Sequence, residues 1–144
     1  MRLSTKCRYG LRAMIDLALF SGRSHVALRD IADRQQISLK YLEQDFSILK
    51  RAGLVRSVKG AQGGYLLARP ANEIHVDEVI RILEGDLNLI DPPKGDEPPI
   101  RAFLYTGIWN DLNGDVARVL HSETLAELAE EYAGTVSGGS MYYL

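Results

Sequence analysis

The feature that most constrains this chain is a run of three helical segments leading straight into a glycine-tipped pair of β-favouring runs. Leu54-Val55-Arg56-Ser57-Val58, then Lys59-Gly60-Ala61-Gln62-Gly63-Gly64, then Tyr65-Leu66-Leu67 read as a hairpin, with Pro70 closing the second strand. Upstream, Ser4 or Thr5 caps a first helix that runs to about Phe20, with Leu11, Met14, Ile15, Ala18 and Leu19 on one face, and Gly22 ends it. A second, shorter helix covers about Leu28 to Arg34, with Leu28, Ile31 and Ala32 apolar, and Gln35-Gln36-Ile37 makes a tight connection. Ser38 is an N-cap for a third helix, about Leu39 to Ala52, and Gly53 stands where a left-handed residue ends a helix.

Beyond the hairpin, a fourth helix is expected from about Asp77 to Leu83, stopping near Gly85. The stretch from Asp91 to Pro99 carries four of the five prolines and reads as a loop. Leu104, Ile108, Leu112, Val116 and Leu120 then recur every fourth residue, with Val119 beside them, which predicts a long helix from about Ile100 to Leu120. Thr124 and Glu127 form a capping box for a short last helix to about Tyr132, followed by a tail from Gly134 to Leu144.

With 144 residues, 46% of them hydrophobic, the chain suffices for one compact domain or a small domain with an appendage. Its net charge of −2 conceals an asymmetry. Residues 1–69 hold 13 Lys+Arg against 5 Asp+Glu, and residues 70–144 hold 4 against 14, so the halves carry +8 and −10. A polyanion partner is expected for the first half alone. The single cysteine, Cys7, excludes an intrachain disulfide framework. No apolar run reaches the ~18 residues of a membrane span, and the start of the chain lacks a secretory apolar core, so a cytoplasmic protein is expected.

Three helices and a hairpin in this order predict a mainly α fold with a small β-hairpin, a winged helix-turn-helix whose third helix lies in the DNA major groove. At about 100° per residue, Leu42, Phe46 and Leu49 gather on one face of that helix and Lys40, Gln44, Ser47 and Arg51 on the opposite one, with Glu43 flanking them. Lys40 and Gln44 can reach base edges, Gln44 pairing bidentate with adenine, and Glu43 can accept from cytosine N4. The N–H groups around Ser38 favour a phosphate. Arg56 and Lys59 in the hairpin, with Gln62 at its tip, and Arg2, Lys6 and Arg8 at the start of the first helix suit backbone contacts, which position without reading sequence. Gly60, Gly63 and Gly64 allow positive φ and close approach. The absence of a phosphate-loop motif, paired metal ligands or a nucleophile elbow argues against an enzyme. His25, His75 and His121 are far apart in sequence and receive no role.

Three spaced motifs carry a resemblance. Ser4-Thr5-Lys6-x-Arg8-Tyr9, Ile37-Ser38-x-x-Tyr41-Leu42-Glu43-Gln44, and Gly53-Leu54-Val55-x-Ser57-x-x-Gly60-x-x-Gly63-Gly64-Tyr65-x-Leu67 together resemble the Rrf2-type transcription regulators, the family of IscR, NsrR and CymR, closely over residues 1–85 and in layout beyond. The resemblance implies a DNA-binding repressor that acts as a homodimer. Residues 1–85 would form the winged helix-turn-helix, and residues 86–144 an effector-type loop, a dimerisation helix and a C-terminal tail. Leu104, Ile108, Leu112, Val116, Val119 and Leu120 would face the twin helix. Tyr41 joins the DNA-binding set through its motif. Many members hold an iron–sulfur cluster through three loop cysteines, but residues 91–99 contain neither Cys nor His, so no cluster is expected. The chain is most similar to the cluster-free, CymR-like members, which implies control of cysteine and sulfur genes. In that group the aromatic tail, here Met141-Tyr142-Tyr143-Leu144, is associated with binding cysteine synthase (O-acetylserine thiol-lyase), and an enzyme-docking role through the tail is the alternative function. Cys7 stands where the family pattern has glycine; a small buried residue under the first helix is the favoured expectation, and a thiol whose pKa is lowered by Lys6, Arg8 and the helix start, with redox sensitivity, is the alternative.

Overall fold

The computed structural model describes residues 2–22 and 24–142, with side chains to residue 137. Helix α1 spans Thr5–Phe20, α2 Leu28–Gln35 and α3 Leu39–Arg51; strands β1 (Val55–Val58) and β2 (Gly64–Leu67) follow. After a 3-10 turn at Ala71–Glu73 come α4 (Val76–Glu84), α5 (Pro99–Leu104), a π-turn at Tyr105–Trp109, α6 (Asn110–Ser122) and α7 (Leu125–Tyr142). The mainly α class with a small hairpin is as expected.

Local chemistry explains the ends of these elements. Ser4 caps α1, its Oγ accepting from the Cys7 N–H at 3.1 Å, and Ser38 caps α3 through the Tyr41 N–H at 3.3 Å. Gly53 follows α3 at φ +83, the left-handed position predicted for it. Gln36, between α2 and α3, also takes a left-handed conformation at φ 53, without being glycine.

The core lies where α1, α3 and α4 meet, around Met14, Leu17, Leu42, Phe46, Leu49, Val79 and Ile80. The buried side of α1 is Cys7, Gly10, Ala13, Met14 and Leu17, not the face centred on Leu11 and Ile15. Those two and Ala18 are half-buried at the core margin. The sequence pattern missed this because small residues (Cys7, Gly10, Ala13) share the buried ridge with Met14 and Leu17, and α1 also packs along α7. Asp16 is buried as well, gripped by Arg34 at 2.8 and 3.0 Å and by Gln35 at 2.9 Å. This charge-assisted clasp ties α1 to α2.

Strands β1 and β2 pair antiparallel from Val55↔Leu67 to Val58↔Gly64. The hairpin has a further edge: Val26, before α2, exchanges backbone hydrogen bonds with Tyr65 at 2.9 and 2.8 Å. A Cβ on Gly64 would lie 2.3 Å from the Val26 carbonyl oxygen, so this edge requires glycine.

Helices α5 and α6 continue through the π-turn as one rod about 35 Å long. Within the chain this rod has no buried residue. Helix α7 differs from expectation. It is longer than the short helix ending near Tyr132 and extends through the expected tail to Tyr142. It packs along α1, and its Leu125 joins the core. Thr124 starts it, accepting from the Glu127 N–H at 3.1 Å. Among the described residues, no helix is long and apolar enough to cross a membrane.

Candidate nucleic-acid interface

The start of α1 is fixed by α4. The Ser4 N–H and hydroxyl donate to the Glu84 carboxylate at 3.1 and 2.5 Å, while Ser4 itself caps α1. This anchor places Lys6 next to the outer face of α3. Lys6, Lys40, Glu43, Gln44, Ser47 and Arg51 line one open cleft of about 600 Å³.

On α3 the division between faces is clean. Leu42, Phe46 and Leu49 are buried, while Lys40, Tyr41, Glu43, Gln44, Ser47 and Arg51 are all exposed. Tyr41 packs edge-on against Tyr9, ring centroids 5.7 Å apart. Arg51 donates weakly to Ser47 at 3.5 Å. Arg2 and Arg8 are exposed at the beginning of α1. In the hairpin, Arg56, Lys59, Gly60 and Gln62 are exposed, and Gly63 and Gly64 half-buried. Only Gly60 of the three glycines has a positive φ, +111. A Cβ on Gly63 would lie 2.1 Å from the Val58 carbonyl oxygen, so Gly63 and Gly64 serve close approach instead.

Among the described residues, Lys6, Lys40, Arg51, Arg56 and Lys59 make no ion pair, whereas Arg34, Arg69, Arg81, Arg101 and Arg118 are each paired to a carboxylate. The cations of α3 and the hairpin are free to meet an external anion, while five arginines elsewhere are already engaged.

The predicted dimer positions lie on the rod of α5 and α6. Ile108, Leu112 and Val119 are 45%, 40% and 59% exposed. Leu104, Val116 and Leu120 are half-buried. Ile100 and Phe103, which the spacing did not select, are exposed too, at 58% and 71%. Of the tail, Met141 and Tyr142 fall in the last turn of α7, and Tyr143 and Leu144 lie outside the described residues.

Cys7 is the favoured small buried residue, not the reactive thiol of the alternative. Its side chain is 1% exposed. Burial, then the carboxylates of Glu84 and Asp45, pushes the thiol up to about 11. Lys6 and Arg8 are neighbours in sequence, but burial and carboxylates dominate, so the basis for a reactive thiolate is lost.

Three groups escaped the sequence reading. Asp45 is fully buried on the inner side of α3, beside Gly10, and neither carboxylate oxygen has a partner among the described residues. Burial raises its pKa to about 6, with Lys6 pulling the other way. The His25 ring bonds the Gln62 carbonyl at the hairpin tip. At the junction of α4 with the end of α6, His75 and His121 stack with centroids 4.1 Å apart, and His121 Nδ1 meets Asp77 at 3.0 Å. Contacts between residues so distant in the chain leave no periodic signal.

The Rrf2 family, described as iron-dependent transcriptional regulators, matches residues 3–131. The donors present do not fit a thiolate-held cluster. Cys7 is the sole thiol, on the buried side of α1, and residues 91–99 offer neither Cys nor His. Among the described residues, no group of three or more His, Cys, Asp or Glu is placed to hold a metal ion. The chain is 45% identical over 130 residues to the HTH-type transcriptional regulator IscR of Serratia proteamaculans (strain 568), covering 89% of this chain and 79% of the relative. It is 38% identical to the HTH-type transcriptional regulator CymR of Bacillus subtilis (strain 168) over 144 residues, the full length of both. The solved structure of CymR, the global cysteine regulator of B. subtilis, superposes with a TM-score of 0.78 at 40% identity, covering 91% of this chain and 98% of that one. With this similarity along the whole chain, and a helix-turn-helix and wing at the positions described, the chain belongs to the Rrf2 family of transcriptional regulators.

Proposed function

We propose that this protein is a homodimeric, DNA-binding repressor that works without an iron–sulfur cluster and has no enzymatic activity. The observation that carries the reading is the outer face of α3, where Lys40, Gln44, Ser47 and Arg51 stand exposed with unpaired cations, flanked by Lys6; Arg56 and Lys59 are exposed in the wing that follows. Gln44 and Lys40 read base edges, while Lys6, Arg56 and Lys59 hold phosphates. Residues 1–85 act as the DNA-binding part and residues 86–144 as loop and dimerisation part.

The rod of α5 and α6 supports the homodimer. Its Phe103, Ile108, Leu112 and Val119 present apolar surface that the rest of the chain leaves uncovered, and a second copy covers it with an identical face. Two α3 helices then enter successive major grooves of a pseudo-palindrome, half-sites about 34–36 Å apart or a multiple of that, and repression is steric. The full-length similarity to CymR favours genes of cysteine and sulfur metabolism as targets and a cytoplasmic location. Docking of cysteine synthase by Met141–Leu144 rests on the tail sequence alone.

Selection of genomic fragments by the purified, metal-free protein at two salt concentrations tests the reading. Enrichment of a pseudo-palindrome near sulfur genes is the expected result. Sequence-blind binding that vanishes with salt contradicts it.

A further inference from the structure

The wing tip is the least supported part of the proposed DNA surface. Between the last ladder pair, Val58↔Gly64, lie Lys59 to Gly63, with two glycines in five residues. One backbone hydrogen bond closes the turn, Gly63 N–H to Gly60 carbonyl at 3.0 Å. Such a segment loses much conformational entropy on ordering. Among the described residues one side chain hydrogen-bonds it, the imidazole of His25, whose Nε2 meets the Gln62 carbonyl. A carbonyl only accepts, so Nε2 carries the proton and donates.

His25 is itself firmly placed. The next residue, Val26, is held edge-on to β2 by two backbone bonds to Tyr65, and Ala27 accepts from the Asp30 N–H at 3.0 Å, starting α2. The ring therefore spans from the helix-turn-helix to the wing tip and fixes one against the other. We propose that His25 is a positioning residue for DNA binding: by clasping the Gln62 carbonyl it sets the wing tip, with Lys59 and Gln62, at the angle to α3 at which both meet one duplex. This rests on the DNA-binding reading above and adds to it a residue that touches no base.

The test compares wild type, His25→Ala and His25→Gln, whose amide N–H can reach the same carbonyl. Hydrogen exchange of the free proteins reads the tip directly. Faster exchange confined to residues 59–63 is expected in His25→Ala, with the thermal midpoint kept. On a selected operator, hydroxyl-radical footprints should lose protection in the flanks beside the half-sites and keep it at their centres. Affinity should fall on the order of 3–10-fold, the effect of one hydrogen bond, and His25→Gln should restore it. Unchanged exchange and an unchanged footprint in His25→Ala overturn the proposal, as does uniform loss of the footprint with a lowered thermal midpoint. Absence of any wild-type footprint overturns the DNA-binding reading itself, while an intact wild-type footprint that the variant shares overturns only the role of His25.

Discussion

Asp45 is the residue whose position most needs a physical account. A carboxyl with 0% exposure and no partner among the described residues lies on the inner side of α3, the helix proposed to read DNA. Its pKa rises from 3.8 to about 6, so the folded chain holds this proton more tightly than the unfolded chain does. Below the unfolded value the group is neutral in both states, and its titration adds no penalty. Stability then falls as pH rises from about 4 to 6, and the full penalty remains above that. The stability of Asp45→Asn, which keeps the shape and removes the charge, should gain on wild type by about 2 kcal/mol between pH 4.5 and pH 7.5. Urea unfolding of both proteins at the two pH values reads this; an equal difference at both contradicts it. Cys7, beneath the same interface, should react with a disulfide reagent only as fast as the protein opens, and a native-state rate near that of a free thiol would restore the redox reading. The exposed side chains of α3 were legible in the sequence, because angle alone separates Lys40, Gln44, Ser47 and Arg51 from Leu42, Phe46 and Leu49. Asp45 was not, since a carboxylate at an inner position looks like any surface acid until its neighbours are known.

At the scale of elements, caps and turns follow local chemistry closely. Ser4, Ser38, Gly53 and Thr124 each sit at the helix boundary that their side chains or backbone freedom favour. Gln36 is the exception, a non-glycine at φ 53 in the turn of the helix-turn-helix. Gln36→Gly should therefore stabilise by about 0.5–1 kcal/mol, relief of left-handed strain outweighing the extra entropy of glycine. A loss of stability in thermal melts would show that the Gln36 side chain contributes more than its backbone strain removes. Gly64→Ala should do the opposite and separate the wing from Val26, because its Cβ would meet the Val26 carbonyl at 2.3 Å. Helix α7 was the element least visible in advance. Gly134, Gly138 and Gly139 argue against a helix on propensity, yet it extends to Tyr142. Propensity is a weak prior, and contact of α7 with α1 competes with it.

At the scale of the whole molecule, the +8 and −10 halves separate by role. The cations of α3 and the wing lie in the basic half, and the acidic half holds the loop, the rod and α7. The periodicity of the rod was plain in the sequence. Its incomplete burial within one chain was not, because a repeat of apolar residues says that a face is covered but not by what. Ile108→Asp, on a face already 45% exposed, should leave the helix-turn-helix folded while shifting sedimentation from dimer to monomer. Loss of the second half-site contact should then weaken operator binding by on the order of 100-fold or more. A monomeric variant that binds as tightly as wild type would contradict the two-site arrangement.

The most direct test of the central claim, that the outer face of α3 reads DNA sequence, is the affinity of wild type and Gln44→Ala for a selected operator and for every single-base variant of one half-site. The account predicts that Gln44→Ala loses about 1–3 kcal/mol of discrimination at one base position and keeps its preferences at the others. Base preferences identical to wild type, or uniform weakening across all variants, would contradict it.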